Sequence, residues 1–271
     1  MDTTHYRRPK TLAEARAAFG ASTDAAFLSG GHTLLPAMKL RLTSPSDLID
    51  LGAIPELRGI SLNGRTLSIG AATVHADVAQ SELVKTNIAP LAGLAGSIGD
   101  RHVRHRGTIG GSISNNDPAA DYPAGALGLG ATIVTDRRCI LADEFFVGLY
   151  QTSREPDEIV TRIEFPVPDV ASYAKFMSPA SRFSIAAVFI SRTGSTVRVA
   201  VTGAGGEGVF RAGTLEAVLT KDFHARALDG CAIAPETMMS DHNGTREYRA
   251  NLVMVMARRA MENLGTISVF K

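Results

Sequence analysis

The sequence predicts an α+β fold, and three observations carry that prediction. After residues 166–169, Pro-Val-Pro-Asp, strand-like runs at 173–177, 185–192 and 196–202 are followed by helical runs rather than alternating with them. No unit of about 30 residues joins a strand to GxGxxG, a helix and a downstream acid, which disfavours a Rossmann domain. Two glycine pairs, Gly30-Gly31 and Gly110-Gly111, sit instead in apolar sequence beside hydroxyl and imidazole side chains.

In chain order, residues 11–19 read as a short helix with Thr11 as N-cap and Glu14 three residues on, a capping-box pattern. Residues 25–29 form an apolar strand running into Gly30-Gly31. Thr33 then caps a helix through Leu42, with Pro36 in its first turn, where a missing N–H costs little. Leu34, Leu35, Met38 and Leu42 have helical spacing and are expected in the core. Strands follow at 47–51 and 66–70, with Asn63-Gly64 as the turn before the second. Thr73 opens a helix containing Val74, Val78 and Leu83; residues 89–98 form an Ala- and Gly-rich helix that must pack closely on a neighbour.

Residues 131–135 read as a strand, 143–150 as aromatic surface, and 158–165 as an alternating strand with Arg162 and Glu164 on its wet face. Short helices are expected at 214–219 and 222–229. A long one closes the chain at about 245–264, with Tyr248, Leu252, Val255 and Met256 on one face. No internal repeat of solenoid period occurs.

Composition excludes several classes. The chain has 271 residues, enough for one large domain or two, with 45% hydrophobic residues and a formal net charge of +1. That balance gives no push toward nucleic acid or a membrane surface. Two cysteines, Cys139 and Cys231, are too few for a four-cysteine zinc or iron–sulfur site, and a reducing, cytoplasmic setting is the default. The first eleven residues have no apolar signal core, and no run reaches the ~18 apolar residues of a transmembrane segment.

The chemistry is concentrated in two stretches, residues 27–39 and 103–121. Glycine pairs let backbone approach a ligand and allow φ > 0. Successive N–H groups in such a turn form a nest for anions, and a strand, a glycine pair and a helix start present several free donors. Two nests suit a ligand with a long charged middle, such as the pyrophosphate of a dinucleotide. Arg101, His102, Arg104, His105 and Arg106 form a short basic run. Nothing aromatic interleaves it, so a solvated turn or a protein-facing surface is a better reading than a nucleic-acid patch. The two histidines lack a nearby carboxylate or cysteine to complete a metal site.

FLSGGHTLLPAMKLRL, LIDL, IGDRHVRHRGTIGGSISNNDPAADYPA, DEFFVGLYQT, DEIVTRIEFPVP, YAKF, SRFSIAAV and EYRANLVMVMARRA occur in that order over nearly the whole chain. Together they resemble the FAD-binding medium subunit of molybdenum hydroxylases, of the carbon monoxide dehydrogenase type, with the xanthine dehydrogenase flavin domain more distant. The resemblance implies a p-cresol methylhydroxylase-type FAD-binding fold over 1–168, in lobes of about 1–55 and 56–168, and a C-terminal α+β domain over 169–271. It implies that Leu28, Ser29, Gly30, Gly31, His32, Thr33 and Leu34, with Thr108, Ile109, Gly110, Gly111 and Ser112, hold the diphosphate and part of the flavin. Asp121, Ile98, Val160 and Lys175 match further cofactor contacts. Thr33 stands where the family usually has Ser, and Ser112 where it has Asn or Ser; both keep a small polar group.

The residues themselves qualify these roles. Asp121 cannot favourably face a phosphate; it would accept from a ribose hydroxyl or a flavin N–H, or serve as a helix N-cap. Lys175 reads equally as a solvated strand residue, and His32 as a helix-start hydrogen-bonder rather than a catalyst. The resemblance implies electron relay: a large molybdenum-binding subunit oxidises substrate, a small iron–sulfur subunit carries [2Fe-2S] clusters, and FAD passes electrons to an external acceptor. The assembly would be a heterotrimer or a dimer of heterotrimers, with the molybdenum cofactor and clusters only in partners. A self-sufficient flavin reductase or oxidase on the same fold, and a non-catalytic protein that has lost the flavin, are the rivals.

Overall fold

The computed structural model describes residues 3–270. Its three main sheets draw on consecutive stretches of chain. The first stretch runs β1 (His5–Arg7), α1 (Leu12–Gly20), β2 (Ala25–Leu28), α2 (Leu34–Lys39) and β3 (Asp47–Asp50), with the strands all parallel in the order β1-β3-β2. The Thr11 hydroxyl accepts the Glu14 N–H at 3.1 Å, and the Glu14 carboxylate accepts from the Lys10 N–H at 2.7 Å, so α1 starts as its sequence requires. Ala15 and the half-buried Phe19 pack α1 onto Ile49, Leu51 and Ile54.

Helix α2 departs from expectation. It ends at Lys39, not Leu42, and buries no residue. Leu35 and Leu42 are exposed, and Leu34 and Met38 half-buried. Apolar spacing placed them in a core, but six residues make under two turns and nothing covers the outer side. Thr33 has helical ψ of −52° and makes no cap bond.

The second stretch begins with the hairpin β4 (Ile60–Asn63) and β5 (Thr66–Gly70), whose turn places Gly64 at φ +57°. Then follow α3 (His75–Gln80), α4 (Glu82–Asn87), α5 (Ala89–Ser97), α6 (Arg101–Arg104), α7 (Ile109–Asn115) and α8 (Asp121–Leu129). The single helix expected from Thr73 is two, broken at Ser81, whose hydroxyl caps α4. Thr73 lies outside both, donating to the Gly59 carbonyl at 3.3 Å. The stretch closes with β6 (Thr132–Thr135), β7 (Cys139–Leu141), α9 (Ala142–Phe145), the small hairpin β8 (Phe146–Gly148) and β9 (Gln151–Thr152), and β10 (Val160–Pro166). The antiparallel order is β4-β5-β10-β6-β7. Along β10, Arg162 and Glu164 pair at 2.8 Å on the wetter face, as alternation predicts.

The third stretch comprises β11 (Val170–Met177), β12 (Ser184–Thr193), β13 (Thr196–Thr202), β14 (Phe210–Arg211), α10 (Gly213–Lys221), α11 (Arg246–Glu262) and β15 (Ile267–Phe270), in the order β14-β13-β12-β11-β15. The helix expected at 222–229 is one 3₁₀ turn, Ala225–Leu228. On α11 the buried face is Leu252, Val253, Met256, Ala257 and Ala260, while Tyr248 is exposed. β15, unforeseen, runs parallel to β11. It is also the neighbour that α5 requires: a methyl at Gly93 would come within 3.0 Å of the Ile267 Cβ.

One apolar core joins the second and third sheets. Leu91, Leu94 and Leu129 share a cluster with Tyr173, Phe189 and Ala200. Gly128 makes the junction tight, because a Cβ there would lie 2.9 Å from the Phe189 ring.

Candidate functional site: a cleft between two glycine loops

The loop after β2 and the start of α7 line one cleft of about 910 Å3. They touch directly: the hydroxyls of Ser29 and Thr108 are 2.8 Å apart, although 79 residues separate them. The wall also has two apolar stretches. One carries Phe19, Phe27, Leu51, Leu57 and Ile159, with Phe19 and Phe27 stacked at 4.7 Å; the other carries Ile98, Val103 and Phe183.

The two loops supply different things. Among the described residues, the N–H groups of Gly30, Gly31, His32, Thr33 and Leu34 have no protein acceptor. Five successive donors therefore remain for a ligand or water, and unmet buried donors are costly. At the second loop the donors are engaged: Ile109 N–H donates to the Thr73 carbonyl, Gly110 N–H to Ala71, Gly111 N–H to the Thr108 hydroxyl and Ser112 N–H to the Thr108 carbonyl. The second loop contributes shape and the Ser112 hydroxyl rather than a nest.

The glycines divide similarly. A Cβ on Gly30 would overlap the Arg106 carbonyl and lie 2.7 Å from the Gly107 Cα; one on Gly110 would lie 2.7 Å from the Ala71 carbonyl oxygen. These two bring chain against chain, not chain against ligand. Gly31 takes φ +75°, which a side chain resists. At Gly111 a Cβ would crowd only the Thr108 hydroxyl at 2.9 Å.

Behind the second loop Asp121 is buried in a polar cluster. Its Oδ1 accepts from the Tyr173 hydroxyl and, at 2.8 Å, from the Ser184 hydroxyl; its Oδ2 accepts from Lys175 at 2.8 Å. Asp121 is the first residue of α8, whose cap is Ala120, so it is not an N-cap. Lys175 is fully buried, which overturns its reading as a solvated strand residue: the Asp121 charge draws it inward, since a buried ammonium needs a partner. Burial pushes the Tyr173 phenol well up, and the adjacent Asp121 adds to that.

His75 lines the cleft and is buried. Burial lowers its pKa from 6.5 to about 4; Asp121 opposes the shift, while His32 and Arg104 add to it. It is therefore neutral near pH 7. Glu158, at the far side of the list of acids that line the wall, is bound by Arg138 at 2.9 Å, and that bond holds its pKa down at about 2. Nothing here is poised to move a proton at neutral pH, in line with the absence of any named acid or base. Among the described residues no group of three His, Cys, Asp or Glu could hold a metal ion, and both cysteines are free.

Residues 2–168 match the family model described as FAD binding domain in molybdopterin dehydrogenase. The chain belongs to that family. Over 94% of its length it is 37% identical to the carbon monoxide dehydrogenase medium chain of Hydrogenophaga pseudoflava, covering 95% of that protein. It is 33% identical to the glyceraldehyde dehydrogenase medium chain of Sulfolobus acidocaldarius, with 96% and 98% coverage. It is 32% identical to the nicotine 6-hydroxylase medium subunit of Paenarthrobacter nicotinovorans, with 96% of each covered. The solved carbon monoxide dehydrogenase of Hydrogenophaga pseudoflava superposes with a TM-score of 0.87 at 35% identity, covering 96% of both chains. The chain thus has the α+β FAD-binding fold of a dehydrogenase flavoprotein subunit, and its cofactor is FAD.

Of the residues matched to FAD contacts, Leu28 through Leu34, Ile98, Thr108, Gly110, Gly111, Ser112, Asp121 and Val160 all line this one cleft. Ile109 and Lys175 do not. Ile109 is wholly within the core, and Lys175 reaches the wall only through Asp121. Sequence reasoning missed His75, Phe183 and Arg182. Phe183 is half-exposed in the cleft, and Arg182 donates to the Gly99 carbonyl at 3.2 Å from φ +63°. The run Ser181-Arg182-Phe183 between two apolar strands was a visible signal: an aromatic in a polar connection has no core to enter.

Proposed function

We propose that this chain is the FAD-carrying subunit of a multi-subunit molybdenum hydroxylase. It accepts electrons from a small iron–sulfur subunit and passes them to an external acceptor, while a large molybdenum-binding subunit oxidises the substrate. The single observation behind this reading is the cleft, where five free N–H groups lie beside the Ser29–Thr108 contact. That arrangement suits a diphosphate, since charge-assisted hydrogen bonds are roughly twice as strong as neutral ones. FAD supplies the redox chemistry, storing a pair of electrons and releasing them.

The chain's own residues bind, orient and shield. Gly30 to Leu34 donate to the diphosphate. Gly111 and Ser112 let backbone and a hydroxyl come close, while Leu28, Ile98 and Val160 form wall. Phe183 offers a face for a flat ring, and Asp121 presents an ion-paired carboxylate behind it. The reading divides the chain into an FAD-binding part over 1–168, with lobes of about 1–55 and 56–168, and a C-terminal part over 169–271. Relatives named for carbon monoxide, glyceraldehyde and nicotine lie within 32–37% identity, so substrate choice is assigned to the molybdenum partner. The two free cysteines suit a cytoplasmic setting; among the described residues no helix is long and apolar enough to cross a membrane.

The test is purification of the chain alone. It should be yellow, with near-stoichiometric FAD by absorption. A colourless protein that takes up no FAD on titration would end the reading. Turnover of the isolated chain with NADH or NADPH would favour a self-sufficient reductase instead.

A further inference from the structure

Arg101, Arg104, Arg106 and Arg182 gather where α6, the second loop and the β11–β12 connection meet the cleft. Gly30 packs on the Arg106 carbonyl, the His32 ring reaches the His102 carbonyl at 3.4 Å, and Arg104 and Arg182 both donate to the Gly99 carbonyl. Elsewhere on the molecule arginines are commonly ion-paired, as Arg7 is with Asp47, Arg65 with Asp169 and Arg211 with Glu216. Among the described residues, none of the four at the cleft has a carboxylate within 4.0 Å. Asp100, the nearest acid in sequence, caps α6 by accepting from the Val103 N–H at 2.9 Å. The concentration is local, because the whole chain carries only +1. Within it stand exposed apolar side chains, Phe183 and Leu35.

We propose that this rim is the docking surface for the acidic face of the electron-donating iron–sulfur subunit. The inference rests on the relay reading above and assigns a place to one of its steps. The geometry favours a protein over a small anion. Arg104 and Arg182 are tied to backbone carbonyls, and Arg101 and Arg106 are exposed on different turns, so the four do not converge on one point as a phosphate site needs. Spread arginines around exposed apolar side chains match the composition of protein interfaces, where Arg and aromatics are enriched. Complementary charge chiefly accelerates association, and salt screens that effect.

The experiment pairs the full-length chain with its purified, reduced iron–sulfur subunit and follows flavin bleaching by stopped flow across a salt series. For the unaltered chain the second-order rate should fall steeply with salt. R101E/R106E should lower the low-salt rate by about tenfold or more and flatten the salt dependence, with FAD content unchanged. R101K/R106K should behave as the unaltered chain does. An R101E/R106E rate and slope equal to those of the unaltered chain would overturn the proposal. So would a variant that docks normally but has a raised KM for an anionic acceptor such as NAD⁺, which would hand the rim to a small molecule. If the unaltered FAD-loaded chain is not bleached by the reduced subunit at all, the relay reading fails rather than the rim assignment.

Discussion

A side chain at position 110 and one at 111 would meet different neighbours, and the difference separates folding from binding. Gly110→Ala drives a methyl into Ala71 and should cost about 1–3 kcal/mol of stability, read by chemical denaturation. Gly111→Asp points toward the cleft past the Thr108 hydroxyl. It should leave the melting curve of the FAD-free protein nearly unchanged yet abolish FAD retention, read by absorption after gel filtration. Lys175→Met strands Asp121 and should cost about 3–5 kcal/mol, while the Lys175→Met/Asp121→Asn pair should recover most of it. His75 sets an acid limit. The unfolded chain takes up a proton near pH 6.5 and the folded one near 4, so its contribution is complete above 6.5 and is lost as pH falls toward 4, by roughly 3 kcal/mol. His75→Leu should flatten stability over that window; an unchanged slope would clear His75 of the role. At this scale the sequence was legible where a residue type has few uses, as at Gly31 or Thr11. It was silent where meaning depends on a distant partner. Nothing local to Lys175 announces Asp121, 54 residues away.

The least anchored element at the site is α2, which buries no side chain although its leading loop carries the five free donors. Occupation of the cleft should therefore stabilise it selectively. Amide exchange across residues 30–39 should slow markedly when FAD is added to the FAD-free protein, while exchange in β12 stays constant. Equal exchange in both states would mean that the loop does not hold the cofactor. Periodicity misjudged this helix because it reports apolar spacing, not whether an element exists to cover it; Leu35 and Leu42 have the spacing and no cover. The same limit hid β15. Four residues after a long helix carry little signal, and their strand character comes from lying against β11. By contrast β13, flanked by Gly194 and Gly203, was readable almost to the residue, since both glycines take positive φ and punctuate the strand.

Across the whole molecule, the order of sheets follows the order of the chain, which is why an α+β fold could be read from strand and helix runs alone. What the chain order does not disclose is the continuity of packing between the second and third sheets. Leu91, Leu94 and Tyr122 contribute to the same interior as Tyr173 and Phe189. The Asp121–Lys175 pair crosses the same seam. A gene truncated after codon 168 would therefore not yield a freestanding flavin module. It would leave a raw apolar flank and an orphaned carboxylate, and its product should aggregate on expression. Anyone exchanging parts among such oxidoreductases, whether by recombination in nature or by chimera-making at the bench, has to move this polypeptide whole.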